Sequence, residues 1–411
     1  MRREDCGAIL TWEEYPVGGV SLNVTHITRA QNRTKKIYLI LSIRLSVIRA
    51  SKYIVATGFL ATMAFGQSRP SNVDATAGAG SDGSLRETPR LDCAPEPVAF
   101  VNGDVRLAGG LVKPVGHGPF PAVIFVHGAG PATGNEPAFV VHANAFLSRG
   151  FAVLMYDKRG SGGSIGNLDT SDYNDLANDV GAGVKFLRAR QDIVPTKIGV
   201  LGRSEGGWVG TIAARRDPSI AFVIMSSGAA DSPYDETLYW TRGALRAHGA
   251  SESVIEQAVA AKTRIWDYYR SVANGKDGEA ATSHATRDAI IKSLREFQRY
   301  RPEIPSGVMD PSTEDVREFR AFAQMIYYDP APDFKALRVP LLELLGMNDE
   351  VVDPKTTIAA LERLCSTGHD VTIRTFAGVG HSLVVMDGTK MVGYPSGYLE
   401  FATQWASEHV K

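Results

Sequence analysis

Six short, mostly apolar runs of strand length recur along the chain, and helix-length amphipathic stretches fit between them. The runs are AVIFVHG (122–128), AVLMYD (152–157), KIGVLGR (197–203), AFVIMSSG (221–228), LLELLG (341–346) and VTIRTFAG (371–378); helical patterns cover 137–149, 173–190, 206–216, 354–364 and 396–409. Near-continuous apolarity belongs to strands buried on both faces, and a helix between successive strands makes them parallel. The predicted class is therefore α/β, a mostly parallel central sheet flanked by helices. Ahead of these runs, VAFVNGDVRLAGGLVKP (98–114) reads as an antiparallel hairpin turning at Asn102-Gly103-Asp104.

One interval breaks the alternation. Residues 231–330 hold no strand run but several helical patterns, with aromatics that include Tyr234, Tyr239, Trp240, Trp266 and Tyr269. This predicts a helical cap inserted between the fourth and fifth runs. Its aromatics either line an acyl pocket or simply pack the cap onto the core.

The front of the chain reads differently. The first 66 residues carry nine Lys/Arg and four Asp/Glu, a net of +5, whereas the remainder nets −6. Tyr53 to Phe65 is an apolar run of signal-peptide length, preceded by Arg44, Arg49 and Lys52 and followed by a small-x-small site at Ala64-Phe65-Gly66. It is short for a membrane span. A cleaved export signal is expected, with translation beginning near Val47 and an uncleaved anchor as the alternative. Export implies a periplasmic or secreted protein. Residues 67–92, rich in Ser, Gly, Ala, Pro and Asp, read as a disordered linker, leaving 93–411 as the folded domain. In an oxidising compartment Cys93 and Cys365 could pair, or could remain separate thiols.

Charge excludes some function classes. Charged residues are 22% of the chain and the formal net charge is −1, so no basic field calls for nucleic acid. No CxxC pair, HExxH or Cys/His cluster suggests a metal. Gly128, Gly130 and Gly134 follow one strand and Asp157 ends the next, which is reminiscent of a dinucleotide site. The third glycine comes one residue late and prolines interrupt the region, so no cofactor is expected.

The string GxSxG occurs twice, around Ser164 and around Ser204. Ser164 lies in a glycine-rich loop that no strand feeds. Ser204 follows the strand KIGVLGR directly and precedes the helix GGWVGTIAARR, the setting of a nucleophile elbow, where Gly202 and Gly206 supply the small flanking residues. A serine nucleophile needs a base, and the chain order of such sites places it late. His381 in Gly378-Val379-Gly380-His381-Ser382 sits just after the last strand run and is preferred over His369 and His409. The orienting acid should follow the preceding strand, where Asp349 is the first choice and Glu350 and Asp353 are the alternatives. Oxyanion donors are expected from the backbone N–H groups of Glu205, beside the nucleophile, and of Ala129, in the loop after the first central strand.

Taken in order, HGAGP, YDKRGSGGS, GRSEGG, GMNDEVVD and GVGHS resemble the α/β-hydrolase superfamily over roughly residues 96–408. The similarity is greatest to bacterial esterases related to dienelactone hydrolases and to the catalytic domain of prolyl-oligopeptidase-like enzymes. The resemblance implies a Ser204–Asp349–His381 triad, oxyanion donation from Ala129 and Glu205, and hydrolysis of a small acyl substrate through an acyl-enzyme. It also implies that Asp157 and Arg159, in a loop packed beside the active site, are structural. Two features depart from the pattern: Arg203 replaces the histidine that many relatives carry before the nucleophile, and no propeller precedes the domain. An esterase on small or medium acyl esters is therefore expected first, a peptidase or amidase second, and a non-catalytic binding protein third.

Overall fold

Extended apolar segments bury their backbone polar groups by pairing with one another, and here they do so in one large sheet. The computed structural model describes residues 9–17, 20–28, 89–274, 288–289, 292, 316–388 and 390–411. The run at 53–65 and most of the 67–92 segment lie outside the described residues. Within the first 66 residues, β1 (Ile9–Val17) and β2 (Val20–Thr28) pair antiparallel as a separate two-stranded sheet.

The main sheet holds β3 (Glu96–Asn102), β4 (Val105–Val112), β5 (Phe120–Val126), β6 (Ala152–Tyr156), β7 (Ile193–Arg203), β8 (Val223–Ser226), β9 (Leu341–Gly346) and β10 (Val371–Phe376). Their order across the sheet is β10-β9-β8-β7-β5-β6-β4-β3. Neighbours from β6 to β10 run parallel, while β4 pairs antiparallel with both β3 and β6. The hairpin turns on Gly103 and Asp104, since Asn102 still pairs with Val105. Gly103 has φ +57°, which glycine adopts without penalty.

The helices are α1 (Pro137–Ser148), α2 (Tyr173–Arg188), α3 (Gly206–Arg216), α4 (Pro233–Ala247), α5 (Glu252–Asn274), α6 (Val316–Ile326), α7 (Ala331–Ala336), α8 (Pro354–Ser366) and α9 (Tyr398–Glu408). Some start at a capping side chain. Asp172 and Asp175 form a reciprocal capping box on α2, and Asp353 accepts from Lys355 N–H at the start of α8. Two apolar layers sandwich the sheet. Phe125, Phe139, Phe146 and Trp405 fill the layer under α1 and α9, and Ile124, Leu187, Ile212 and Leu361 fill the layer under α2, α3 and α8.

Helices α4 to α6 build a third core of their own, with Leu245, Trp266, Tyr269 and Phe319 at its centre. Most aromatics of this interval are spent on packing. The Tyr234 ring lies 5.0 Å from that of Trp266, and Tyr328 reaches the sheet core beside Tyr173 and Trp208. The β1–β2 pair, the short helix α7 and the hairpin of β11 (Val385–Asp387) and β12 (Lys390–Gly393) just beyond His381 were not singled out from the sequence. At three and four residues, β11 and β12 are too short to stand out from a loop. Cys93 and Cys365 are separate thiols, the first packed against the α1/α9 layer and the second exposed on α8.

Candidate active site

The sharp turn from β7 into α3 holds Ser204 at φ +52°, a conformation costly for any residue with a Cβ. Neighbouring backbone stitches it in place. Ser204 N–H donates to Ser226 O at 2.9 Å and Ser204 O accepts from Gly207 N–H at 2.8 Å. A Cβ on Gly202 would lie 2.0 Å from Gly206 O, and one on Gly206 would lie 2.4 Å from Val126 O. Both glycines are therefore required by close backbone approach.

Two loops at the carboxyl ends of β9 and β10 bring the partners in. His381 Nε2 is 2.9 Å from Ser204 Oγ, and its Nδ1 is 2.9 and 3.1 Å from the two carboxylate oxygens of Asp349. His381 and Asp349 are 3% and 2% exposed, so their bonds form away from bulk water. Asp349 also accepts from the N–H groups of Val351 and Val352, which holds its carboxylate still. The loops are laced to each other as well, with Met347 N–H donating to Phe376 O and Asn348 N–H to Val379 O. The two rejected acids have other work. Glu350 accepts from the backbone N–H of His381 at 3.2 Å, and Asp353 caps α8. In this arrangement His381 Nδ1–H is fixed by the carboxylate, which leaves Nε2 as the acceptor facing the serine hydroxyl.

Around this centre the structure separates the remaining candidates. Ser164 is distant in role: its hydroxyl donates to Asp157 O and accepts from Ala108 N–H, tying the loop after β6 to β4. Asp157 accepts from Gly134 N–H and Gly163 N–H, and Arg159 makes a two-pronged ion pair with buried Asp179 at 2.7 Å on both arms. The guanidinium of Arg203 lies 3.8 Å from Glu136, at the start of α1. Gly128 packs against the elbow, since a Cβ on it would sit 3.4 Å from the Ser204 Cβ. From above, Tyr239 of α4 donates its hydroxyl to Asp349 O at 3.1 Å. Nearby acids on the same side are displaced upward: burial, followed by the charges of Asp231, Asp349 and Glu205, raises Glu236 well above the carboxylate range, and burial pushes Asp231 up to about 6. Lys158 was not singled out from the sequence, yet it bonds both the Gly128 carbonyl and the Glu205 carboxylate. Only its position beside Asp157 in YDKRGSGGS could have drawn notice to it.

Sheet order, helix layers and elbow together define an α/β-hydrolase. Residues 102–381 match the pattern of one family across more than half of the chain, and the chain belongs to the X-Pro dipeptidyl-peptidase (S15) family. It is also 25% identical over 301 residues to esterase EstD of Thermotoga maritima, covering 71% of this chain and 62% of that esterase. The chain thus spans less than two thirds of that relative's length. Among solved structures, DcsB in complex with its substrate analogue is similar at TM-score 0.51 and 19% identity, over 77% of this chain and 99% of that one. A Pyrococcus furiosus esterase, PF2001, is similar at TM-score 0.50 and 16% identity, over 82% and 100%. These two show the shared fold. No helix among the described residues is long and apolar enough to cross a membrane.

Proposed function

We propose that the protein is a serine carboxylesterase acting on small or medium acyl esters. The observation that carries this is the continuous hydrogen-bonded chain from Ser204 Oγ through His381 to Asp349. As Oγ attacks the ester carbonyl, His381 Nε2 takes the hydroxyl proton, and Asp349 stabilises the imidazolium that forms. Ala129 and Glu205 backbone N–H groups receive the developing oxyanion. His381 then gives its proton to the leaving alkoxide, and water, activated by the same ring, releases the acid from Ser204. The relative from Thermotoga maritima is an esterase, which favours esters as substrates.

Membership of the S15 family favours a second reading, removal of an X-Pro dipeptide by the same residues. p-Nitrophenyl esters from acetate to laurate, assayed beside X-Pro p-nitroanilides, separate the two. Hydrolysis of one ester range, lost in Ser204→Ala by on the order of 10⁶ in turnover, is the expected result. Anilide turnover exceeding ester turnover would replace the esterase with the peptidase. Failure of a fluorophosphonate to label the protein would leave only a binding role. Export is part of the same proposal, resting on the Tyr53–Phe65 run, and the mass of the mature N-terminus tests it.

A further inference from the structure

Lys158 and Glu205 form an ion pair at 2.6 Å with side chains only 5% and 4% exposed. A pair buried this deeply must be satisfied by further bonds, and here the additional partner is informative. The Lys158 ammonium also donates to Gly128 O at 2.9 Å, while its own backbone N–H donates to Ala132 O at 3.0 Å. Gly128 C=O and Ala129 N–H are the two ends of one planar trans peptide, so fixing the direction of the carbonyl fixes that of the amide. The other arm of the ammonium holds Glu205, whose backbone N–H is the partner donor at the elbow. One cation therefore grips both segments that carry the oxyanion donors.

We propose that Lys158 is the positioning residue of the oxyanion hole. It orients the Gly128–Ala129 peptide, and it strengthens Ala129 N–H as a donor by polarising that peptide from its carbonyl end. Glu205 has two roles: its backbone serves the oxyanion, and its carboxylate anchors the cation that aligns the other donor. The proposal rests on the esterase reading above, because without a developing oxyanion there is nothing for these amides to meet. A structural brace between the β6 loop and the elbow would need the same ion pair. It would not distinguish ground state from transition state, and the test turns on that difference.

The test uses the full-length chain, p-nitrophenyl butyrate as substrate and an alkyl trifluoromethyl ketone, which adds to the serine as an oxyanion. In Lys158→Met, kcat is expected to fall about 10²-fold with KM within about threefold, as when an oxyanion donor is lost. The ketone's inhibition constant should rise in step with the fall in kcat/KM. Lys158→Met leaves a buried carboxylate unpaired, so thermal unfolding is followed alongside. The double variant Lys158→Met/Glu205→Gln removes that charge and carries the test if the single variant does not fold. It is expected to fold and to keep the loss in kcat. A folded double variant with kcat within about threefold of wild type, or ketone affinity unchanged while kcat falls, would overturn the proposal. Ser204→Ala is run in parallel. Activity surviving there would sink the esterase reading itself, whereas a dead Ser204→Ala beside a fully active Lys158 variant would sink this proposal alone.

Discussion

Adjacent acids Asp349 and Glu350 grip the same histidine from two sides, Asp349 at the ring of His381 and Glu350 at its backbone N–H, 3.2 Å away. A Cβ on Gly380 would meet the Glu350 carboxylate at 2.4 Å, so the loop is drawn tightly onto that side chain. The two acids should therefore differ in what their loss does. Asp349→Asn should cost about 10⁴ in kcat, because the wrong tautomer then faces Ser204. Glu350→Gln keeps an acceptor and should cost less than about tenfold. Steady-state kinetics on one ester checks both, and equal losses would mean that the acid's place is wrongly assigned.

Ser164 and Ser204 share a motif and should respond in opposite ways. Ser164→Ala removes two partly buried hydrogen bonds and leaves Ala108 N–H and Asp157 O with a lost partner. A stability loss of about 1–3 kcal/mol is expected with kcat little changed. Urea unfolding and ester hydrolysis on the same preparation read the two quantities separately.

At Gly206 a methyl group meets backbone rather than a flexible side chain. Gly206→Ala should therefore push α3 off β5, costing about 1–3 kcal/mol. Displacement of the elbow should also remove most ester hydrolysis. An active, stable Gly206→Ala would show that the elbow can move without consequence.

Acid should destabilise the fold through two histidines. Burial pushes His127 down to about 3 and His142 down to about 4, whereas an unfolded histidine titrates near 6.5. Between pH ~6.5 and ~4 the unfolded chain binds protons that the native one refuses, so stability is full above that window and falls as pH drops through it. Each histidine contributes a slope of up to about 1.4 kcal/mol per pH unit. His142 is held neutral between Ala138 O and the Tyr398 hydroxyl, and His142→Leu should about halve the combined slope. Urea unfolding from pH 6.5 to 4 measures it; a slope unchanged in the variant would assign the acid lability elsewhere.

The Arg159–Asp179 pair is the buried structural clamp of the loop after β6. Arg159→Met leaves Asp179 uncompensated and should lower stability by about 3–5 kcal/mol. Asp179→Asn combined with Arg159→Met should recover part of that loss. Denaturant midpoints of the three proteins decide the matter.

Periodicity and spacing by themselves determined the sheet strands, the helices between them and the elbow around Ser204, because each is a local pattern. Burial on both faces makes a run apolar throughout, and a backbone too close for a Cβ demands glycine at 202 and 206. Three acids within five residues looked alike in sequence. Only the folding of the β9 and β10 loops decided which of Asp349, Glu350 and Asp353 meets the ring of His381, 32 residues from Asp349. The aromatics of 231–330 were likewise ambiguous until α4 to α6 drew Trp266 and Tyr269 into a core of their own. Lys158 had no signature beyond its place beside Asp157 in YDKRGSGGS, since a lysine in a loop is ordinarily solvated. Its contact with Glu205 spans 47 residues and exists only because β5, β6 and β7 lie side by side, as tertiary structure alone provides.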